Sequence, residues 1–201
     1  MDAAKTKKME KKRRIIETAY QLFLNMGISA TAIDDVVKTA GIARGTFYLY
    51  FKDKSDLVEQ MVFYKSAETM KALLHQASAE MDDDDTDFIS MVRCFVDCYI
   101  RFYAEHKDVM MVLSKNMTSF LRYFPNFFDD EAQTLYETIL ELFIAYGYTE
   151  EKANKMIYIV LEMLSAVCAD ALMYSEPFAL GQLRQSLSDA AVLLLQNGAN
   201  L

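Results

Sequence analysis

The sequence predicts an all-α protein with two domains. Turn-forming residues are scarce, since the 201 residues include only six glycines and two prolines, about a third of the usual share. Apolar residues recur every three or four positions over most of the chain, which is the spacing of one face of a helix. A third observation, the division of charge, predicts where the first domain ends.

Charge is distributed unevenly along the chain. Residues 1–54 carry eleven Lys and Arg against six Asp and Glu, a net charge of +5. Residues 55–201 carry ten against 23, a net charge of −13. A basic region joined to an acidic body indicates that the first domain, residues 1–54, meets a polyanion, whereas the second, residues 55–201, is kept off it. A basic tail that serves only solubility is the alternative on charge alone.

The cysteine count and the apolar runs predict a cytoplasmic protein. Three cysteines are an odd number, and a chain with 53% apolar residues has no need of a disulfide framework. Polar residues interrupt the first apolar run, so we expect no export signal. The most apolar stretch, residues 156–174, contains Glu162 and Asp170, and carboxylates are costly at the centre of a bilayer. We therefore expect a buried helix there and no membrane partner.

The first 45 residues contain the signals of two helices. An amphipathic segment that begins at Ile15 ends before Gly27, which suits the C-terminus of a helix. Thr31, with Asp34 three residues later, has the form of a capping box that opens a short second helix. Gly41 ends that helix.

Two further helices are predicted at short intervals. Residues 46–51 favour a short third helix, and Asp53 is a cap candidate for a long fourth one, with Asp56 at its third helical position. Three short helices with a glycine turn between the second and the third are typical of a helix-turn-helix. The sequence therefore predicts an N-terminal three-helix helix-turn-helix domain followed by a larger helical ligand-binding and dimerisation domain.

The region 27–57 combines several short motifs at fixed spacings. They are Thr31, the Ala40-Gly41 turn, Arg44-Gly45-Thr46-Phe47-Tyr48, Tyr50-Phe51 and Lys54 before an acidic helix start. In this combination the region resembles the DNA-binding signature of the tetracycline-repressor (TetR) family of bacterial regulators. The resemblance covers residues 10–60, and beyond them only length and helical character agree with the family. It implies double-stranded operator DNA as a partner.

The third helix, beginning near Ala43, is expected to present its first turn to the major groove. Arg44 can read a guanine through two hydrogen bonds or hold a phosphate, and both alternatives stay open. Gly45 allows the backbone to approach closely, and Thr46 can contact a phosphate or a thymine methyl group. The family often has Ser at residue 43, so the hydroxyl that would cap this helix is missing here.

Four further residues are candidate phosphate contacts. The resemblance implies that Tyr48 and Tyr50 lie on the groove side. Thr31 and Lys54 are expected to clamp the phosphate backbone on either side. Two phenylalanines in the same segment are expected in the core: Phe47 and Phe51.

Seven cations ahead of the first helix form a basic arm. Their side chains can enter the minor groove of DNA or contact its phosphates. The alternative is that they only keep the protein soluble. The arm contains Lys5, Lys7, Lys8, Lys11, Lys12, Arg13 and Arg14.

The acidic body has the pattern of a series of long helices. Four consecutive aspartates at 82–85 lack the alternating spacing of a calcium loop, so we expect a solvated loop there. The predicted helices are 55–81, 86–105, 107–124, 129–146, 150–174 and 179–196.

One face of the helix predicted over 86–105 is aromatic, and its opposite face is charged and expected to be solvated. Such an aromatic face usually packs in a protein core. The second domain, however, has more aromatic rings and methionines than tight packing needs, and these side chains suit a cavity for apolar molecules. The predicted partner is an apolar or aromatic small-molecule effector, a lipophilic cation included. Glu162 is its candidate counter-ion, with an interface hydrogen bond as the alternative. The effector-site candidates are Phe95, Tyr99, Phe102, Met117, Phe120 and Glu162.

The helix predicted over 150–174 is apolar almost all round, so it needs two partners. Ser165, Ala166 and Ala169 are small enough for close helix approach. The resemblance implies that this helix and the one over 129–146 pair with their copies in a homodimer, as a four-helix bundle. Complete burial within one subunit is the alternative.

The sequence predicts no cofactor and no metal site. Cys94 and Cys98, one helical turn apart, suit a redox pair or two structural cysteines, and we expect the structural role. His75 and His106 are far apart, which supports neither a metal site nor a catalytic dyad.

The combined prediction is a homodimeric transcriptional regulator, a repressor that a small molecule releases from a palindromic operator. One alternative is a DNA-binding protein whose body only dimerises or binds a protein. Another is a helical enzyme with an apolar substrate site, which no nucleophile and base at workable spacing support. An apolar cavity inside the body would separate these alternatives.

Overall fold

The computed structural model describes residues 3–81, 87–113, 130–175 and 177–199. Every regular element within these ranges is a helix, so the predicted all-α fold is confirmed. The helices are α1 Ala3–Met26, α2 Ile33–Thr39, α3 Arg44–Phe47, α4 Lys54–Glu80, α5 Phe88–Glu105, α6 Lys107–Leu113, α7 Asp130–Tyr146, α8 Glu150–Tyr174 and α9 Leu180–Ala199.

The chain forms two compact units, residues 1–65 and 66–201. The sequence placed the boundary between residues 54 and 55, where α4 begins. Because α4 continues to Glu80, the two units divide inside this helix rather than at its start. The change from net positive to net negative charge, after residue 54, therefore does not coincide with the boundary between the two units, after residue 65.

Aromatic side chains hold the short α3 in the first unit. Phe47 and Phe51 are buried, as predicted, and their ring centroids lie 5.4 Å apart. Phe23 of α1 and Leu57 of α4 are buried in the same unit. Full burial of one such side chain contributes about 1.5–3 kcal/mol. A four-residue helix has almost no stability of its own, so these rings fix the position of α3.

Two glycines end the first two helices, as the sequence predicts. Gly27 has φ +84° and Gly41 has φ +62°, in the left-handed region that favours glycine. The amide of Gly27 donates to the carbonyl of Phe23 at 2.9 Å, which closes the last turn of α1.

The predicted cap of α4 is confirmed. Asp53 precedes the helix, and its Oδ1 accepts from the amide of Asp56 at 2.9 Å. The carboxylate of Asp56 in turn accepts from the amide of Lys52 at 2.7 Å. Two amide donors at the start of α4 are thus satisfied by side chains.

The predicted cap of α2 is wrong by one residue. Ala32, not Thr31, precedes the helix, and the side chain that closes the turn is that of Asp35, which accepts from the amide of Ala32 at 2.8 Å. Thr31 is buried, and its hydroxyl donates to the carbonyl of Gly27 at 2.9 Å. The hydroxyl therefore closes the turn after α1 instead of opening α2.

The basic arm is part of a helix. The predicted first helix began at Ile15, whereas α1 already begins at Ala3. Alanine, lysine, methionine, glutamate and arginine, which make up most of residues 3–14, are all strong helix formers. The cations Lys7, Lys11 and Arg14 consequently lie along one face of α1.

In the second unit α5 lies among the other helices. It contacts α6, α7, α8 and α9. Tyr99 and Tyr103 of α5 are completely buried, with ring centroids 4.7 Å apart. α5 is therefore the core helix of this unit.

The charged face of α5 is not simply solvated, contrary to expectation. Arg93 pairs with Asp189 at 2.9 Å and Asp97 with Arg184 at 2.7 Å, and both partners lie on α9. Arg101 pairs with the end of α4. The side chains of each ion pair are about half exposed, so each pair adds little to the free energy of unfolding and mainly fixes how the helices are oriented.

α8 has one buried and one exposed side. Its buried side includes Ile157, Leu161, Leu164 and Cys168. By length and composition alone α8 would also suit a membrane span. Its buried side packs against α5, α6, α7 and α9, so the helix that the sequence expected to be buried is buried on one side only.

Candidate nucleic-acid interface and ligand cavity

α3 presents a small exposed surface opposite its buried rings. Arg44, Gly45 and Tyr48 are exposed there, and Thr46 is half-buried. Ala43 precedes the helix and makes no side-chain cap, as expected from the missing hydroxyl. The first turn of α3 therefore has unshielded amide donors next to Arg44.

Arg44 forms an ion pair with Asp34 in the first turn of α2. Hydrogen bonding to Tyr48 and the charge of Asp34 raise the pKa of Arg44, which keeps the guanidinium charged. Both partners are exposed. A base or a phosphate that approached this surface would compete with Asp34 for Nη1 of Arg44.

Gly45 is not required by the fold. Its φ lies outside the left-handed region, and a Cβ added there would meet no atom within 4 Å. Glycine in a helix is less favourable than alanine by up to about 1 kcal/mol. The absence of a side chain at this exposed position consequently suits close approach of an external surface.

Leu49 was missed by the sequence analysis. It is 75% exposed and lies between Tyr48, which is 48% exposed, and the half-buried Tyr50. An exposed leucine here provides apolar contact for a thymine methyl or a sugar. The signal was present, because burial of Phe47 and Phe51 places residue 49 on the opposite side of the chain.

Thr31 is not available as a phosphate clamp. It is 1% exposed, and both its hydroxyl and its amide donate to the carbonyl of Gly27. This prediction is corrected, because a buried hydroxyl with an internal partner cannot reach a phosphate.

Lys54 and the basic face of α1 remain candidate phosphate contacts. Lys54 begins α4, is half-buried, and its Nζ lies 3.4 Å from the carbonyl of Ser29. A separate surface depression combines cations of α1 with one tyrosine that follows α3. It is lined by Lys7, Lys8, Glu10, Lys11, Arg14 and Tyr50.

An apolar cavity of about 80 Å³ lies inside the second unit. Phe95 lines it, and its role as an effector contact remains a prediction. All the described residues that line it are apolar. They are Met70, Leu74, Phe88, Met91, Val92, Phe95, Val96, Ile139, Leu142, Phe143, Ile157, Val160, Leu161 and Leu195.

A wider, open groove of about 470 Å³ adjoins the cavity. Leu74, Met91 and Leu142 form walls of both. The groove also contains Lys71 and His75. The apolar cavity and the larger groove, which contains Lys71 and His75, thus share one wall.

The other effector candidates do not line this cavity. Tyr99 is completely buried, and burial raises its pKa well above the ordinary value. Phe102 packs against Tyr103 and His106 instead. Glu162 is absent from the lining, although its Oε1 is buried without a hydrogen-bond partner among the described residues. Two candidates lie outside the described residues: Met117 and Phe120.

A cluster of sulfur and oxygen atoms joins α4 to α5. Sγ of Cys98 lies 3.6 Å from a carboxylate oxygen of Glu80, and Sγ of Cys94 lies 3.3 Å from the carbonyl of Ala77. Arg101 bonds both oxygens of Glu80 at 2.7 Å. Burial, followed by the charge of Glu80, raises the pKa of Cys98 to about 12. The thiols are therefore protonated at neutral pH, which favours a structural over a redox role.

Several exposed apolar residues of the second unit lie on α7, α8 and α9. On α8 they include Ile159 and Met173, with the exposed Ala166 between them, and on α9 Leu193 is 58% exposed. Part of α7 packs within its own chain, where Phe143 lines the cavity and lies 5.0 Å from Phe88. Leu142 and Ile144 of the same helix stay exposed, so the pairing of residues 129–146 with their copies remains a prediction.

Comparison with known proteins identifies the first unit. Residues 15–61 match the family described as bacterial regulatory proteins, tetR family. The chain is 26% identical over 150 residues to the HTH-type transcriptional regulator YvdT of Bacillus subtilis, which covers 73% of this chain and 67% of that protein. It is 41% identical over 61 residues to AcrR of Shigella flexneri, which covers 29% and 28% of the two chains.

Solved structures share the fold over nearly the whole chain. A TetR-family regulator from Haemophilus influenzae covers 96% of this chain and 98% of its own, with a TM-score of 0.53 and 18% identity. The regulator FadR from Bacillus subtilis, solved with stearoyl-CoA, covers 90% and 97% with a TM-score of 0.55 and 17% identity. The matched helix-turn-helix over residues 15–61 and the shared architecture support a helix-turn-helix transcriptional regulator of the TetR type.

Proposed function

We propose that the protein is a cytoplasmic homodimeric repressor that binds a palindromic operator and is released from it by an apolar ligand with an anionic end. The observation that carries the ligand class is the narrow apolar cavity that shares a wall with a groove containing Lys71 and His75. Relatives named as transcriptional regulators favour this function over an enzyme.

DNA binding is assigned to the exposed surface of α3. Arg44, Tyr48 and Leu49 enter the major groove, and Gly45 lets the backbone approach the duplex. Lys54 and the basic face of α1 neutralise phosphates, which adds affinity without sequence preference. The support for this arrangement is that these groups belong to one unit and that all of them except the half-buried Lys54 are exposed.

Dimerisation is assigned to α8 and α9. Their exposed residues Ile159, Ala166 and Leu193 provide apolar and small side chains for close helix contact. α7 is left out of this proposal because Leu135 and Phe143 of its apolar side are buried in their own chain. The proposed interface differs from the pairing of residues 129–146 and 150–174 expected from the sequence.

The ligand is proposed to have an unbranched apolar tail. The cavity has a volume of about 80 Å³, and all of its described lining residues are apolar, which suits an alkyl tail. Met70 and Met91 in the wall can adjust to a longer tail. The B. subtilis FadR was solved with stearoyl-CoA, but the tail proposed here rests on the cavity.

The anionic end replaces the cationic ligand considered from the sequence. Glu162, its proposed counter-ion, does not line the cavity, whereas Lys71 lies in the adjoining groove. A negative ligand end gains from Lys71 even in an acidic body. A ligand that binds better to a conformation unsuited to the operator must lower DNA affinity by linkage.

The test is selection from random duplexes by the purified full chain, followed by release assays on the enriched duplex. We expect a palindromic consensus, and release by straight-chain fatty acids but not by lipophilic cations or neutral aromatics. Failure to enrich any sequence would overturn the operator proposal. An enriched operator that no compound releases would favour the alternative, a body that only dimerises or binds a protein.

A further inference from the structure

We propose that Cys94, Cys98 and Glu80 form a binding site for a thiophilic divalent cation of the zinc and cadmium class. The three side chains each offer one ligand atom, and these atoms all lie within 4.8 Å of one another. Thiolate sulfur with a carboxylate oxygen is a ligand set that such cations accept. None of the three residues lines the ligand cavity or the adjoining groove of the same unit.

The distances are close to those of a tetrahedral site. Zinc binds sulfur at about 2.3 Å and carboxylate oxygen at about 2.1 Å, which sets neighbouring sulfur and oxygen ligands about 3.6 Å apart. The separation of Cys98 Sγ from Glu80 Oε2 is already 3.6 Å. Two sulfurs would need to stand about 3.8 Å apart, which rotation of the partly exposed Cys94 side chain can provide.

A disulfide between the same cysteines fits less well. Residues four apart in a helix have Cβ atoms about 5–6 Å apart, whereas a disulfide requires about 3.5–4.5 Å. α5 would have to distort to form it. A cation between the two sulfurs spans the longer distance and leaves the helix intact.

The surrounding charges balance a divalent cation. Two thiolates and one carboxylate carry three negative charges, and Arg101, which bonds both oxygens of Glu80, supplies one positive charge. A divalent cation brings the net charge of these four side chains and the metal to zero. A partly buried site requires such a balance, because an unpaired buried charge is costly. Nη2 of Arg101 donates to both oxygens of Glu80 at 2.7 Å and lies 3.4 Å from Cys98 Sγ, so a bound cation must displace this nitrogen from Oε2, while Oε1 keeps its bond from Gln76.

The probe is Cd²⁺, titrated into the reduced full-length protein and followed by ultraviolet thiolate-to-metal charge-transfer absorbance. We expect one equivalent to bind. Cys94→Ser and Cys98→Ser should each lose the absorbance band, and Glu80→Gln should keep it while binding at least tenfold more weakly. Direct binding is measured because metals also bind unfolded cysteines, which obscures thermal shifts.

Two matched controls define the site. Cys168→Ala removes the third cysteine, which is buried on α8 outside the cluster, and Asp189→Asn removes an ion-paired carboxylate on α9. Both should bind Cd²⁺ as the unaltered protein does. Absence of the band, its persistence in Cys94→Ser, its loss in Cys168→Ala, or unchanged affinity in Glu80→Gln would each overturn the proposal. Cys94 is only partly buried, so its serine variant retains the fold and keeps the test decisive.

Discussion

Arg44 and Asp34 form an ion pair that joins the first residue of α3 to the first turn of α2. The guanidinium that is proposed to contact DNA is thereby held by an internal anion. Asp34 and a nucleic-acid acceptor compete for the same donors. This competition makes Asp34 a determinant of affinity without any contact to DNA.

Asp34→Asn should therefore strengthen operator binding, because it removes both the competitor and a negative charge from the interface.

Arg44→Ala should weaken binding by about fivefold to 150-fold for each half-site if Arg44 reads a base. Titrations with single-base operator variants measure both. A loss with Arg44→Ala that is uniform over all sequences would instead assign Arg44 to a phosphate, and weaker binding by Asp34→Asn would contradict the competition.

Gly45→Ala should separate folding from DNA binding. An added methyl group meets nothing in the chain, so the free energy of unfolding should stay equal or rise by up to about 1 kcal/mol. Operator affinity should fall, because the methyl group separates the backbone from the duplex. Gly181→Ala on α9, equally open, is the control and should leave affinity unchanged. Equal affinities of Gly45→Ala and the unaltered protein would refute the close approach.

Leu193→Arg and Ala166→Arg should each give monomers with little operator affinity, because a charge would lie within the proposed α8–α9 interface. Ile144→Arg on α7 is the matched control, since Ile144 is 48% exposed but lies outside that interface. Sedimentation should show it as a dimer. A monomeric Ile144→Arg together with a dimeric Leu193→Arg would return the interface to α7.

Lys71→Met should weaken binding of fatty-acid anions by about twofold to fivefold, the range of an exposed ion pair. Alcohols of the same chain length should bind equally to both proteins, because they carry no charge. Displacement of an apolar dye measures the affinities. Lys107→Met, at an exposed lysine of α6, controls for net charge, and an equal effect there would remove Lys71 from the ligand site.

Acid should weaken the attachment of α9 to α5. Hydrogen bonding to Arg184 lowers the pKa of Asp97, and hydrogen bonding to Arg93 lowers that of Asp189. Unfolded aspartate has a pKa near 3.9, so these pairs stabilise the fold above about pH 4 and the contribution is lost as pH falls through the lowered values. The double variant Asp97→Asn with Asp189→Asn should therefore lose less stability between about pH 5 and pH 2. Denaturant unfolding at each pH measures this, and parallel curves would contradict it.

Local signals in the sequence predicted where α1 and α2 end and which residue caps α4. Gly27 and Gly41 end helices where positive φ is needed, and Asp53 caps α4 as predicted. These features depend on a few neighbouring residues, which the sequence shows directly. Thr31 was misassigned because a hydroxyl can cap the next helix or bond back to the preceding one, and only burial decides between them.

The ligand site was less accessible to sequence analysis. Helical periodicity placed Phe95, Tyr99 and Phe102 on one face of α5, but only Phe95 reaches the cavity. The other two pack differently, because burial at each position depends on which helix lies opposite. Lys71 escaped notice for the same reason, since it lines the groove only because α4 lies against α5 and α7.

The helical state of the basic residues in α1 has a further consequence. The first turn of α1 contains no acidic residue, and Lys7 and Lys8 follow within the next turn. Positive side chains near the start of a helix oppose the helix dipole. Phosphates that neutralise them would remove this repulsion, so DNA binding and helix formation at this end should reinforce each other. Helicity of the N-terminal segment should then rise with duplex concentration and fall with added salt, so that affinity includes an ordering step as well as counterion release.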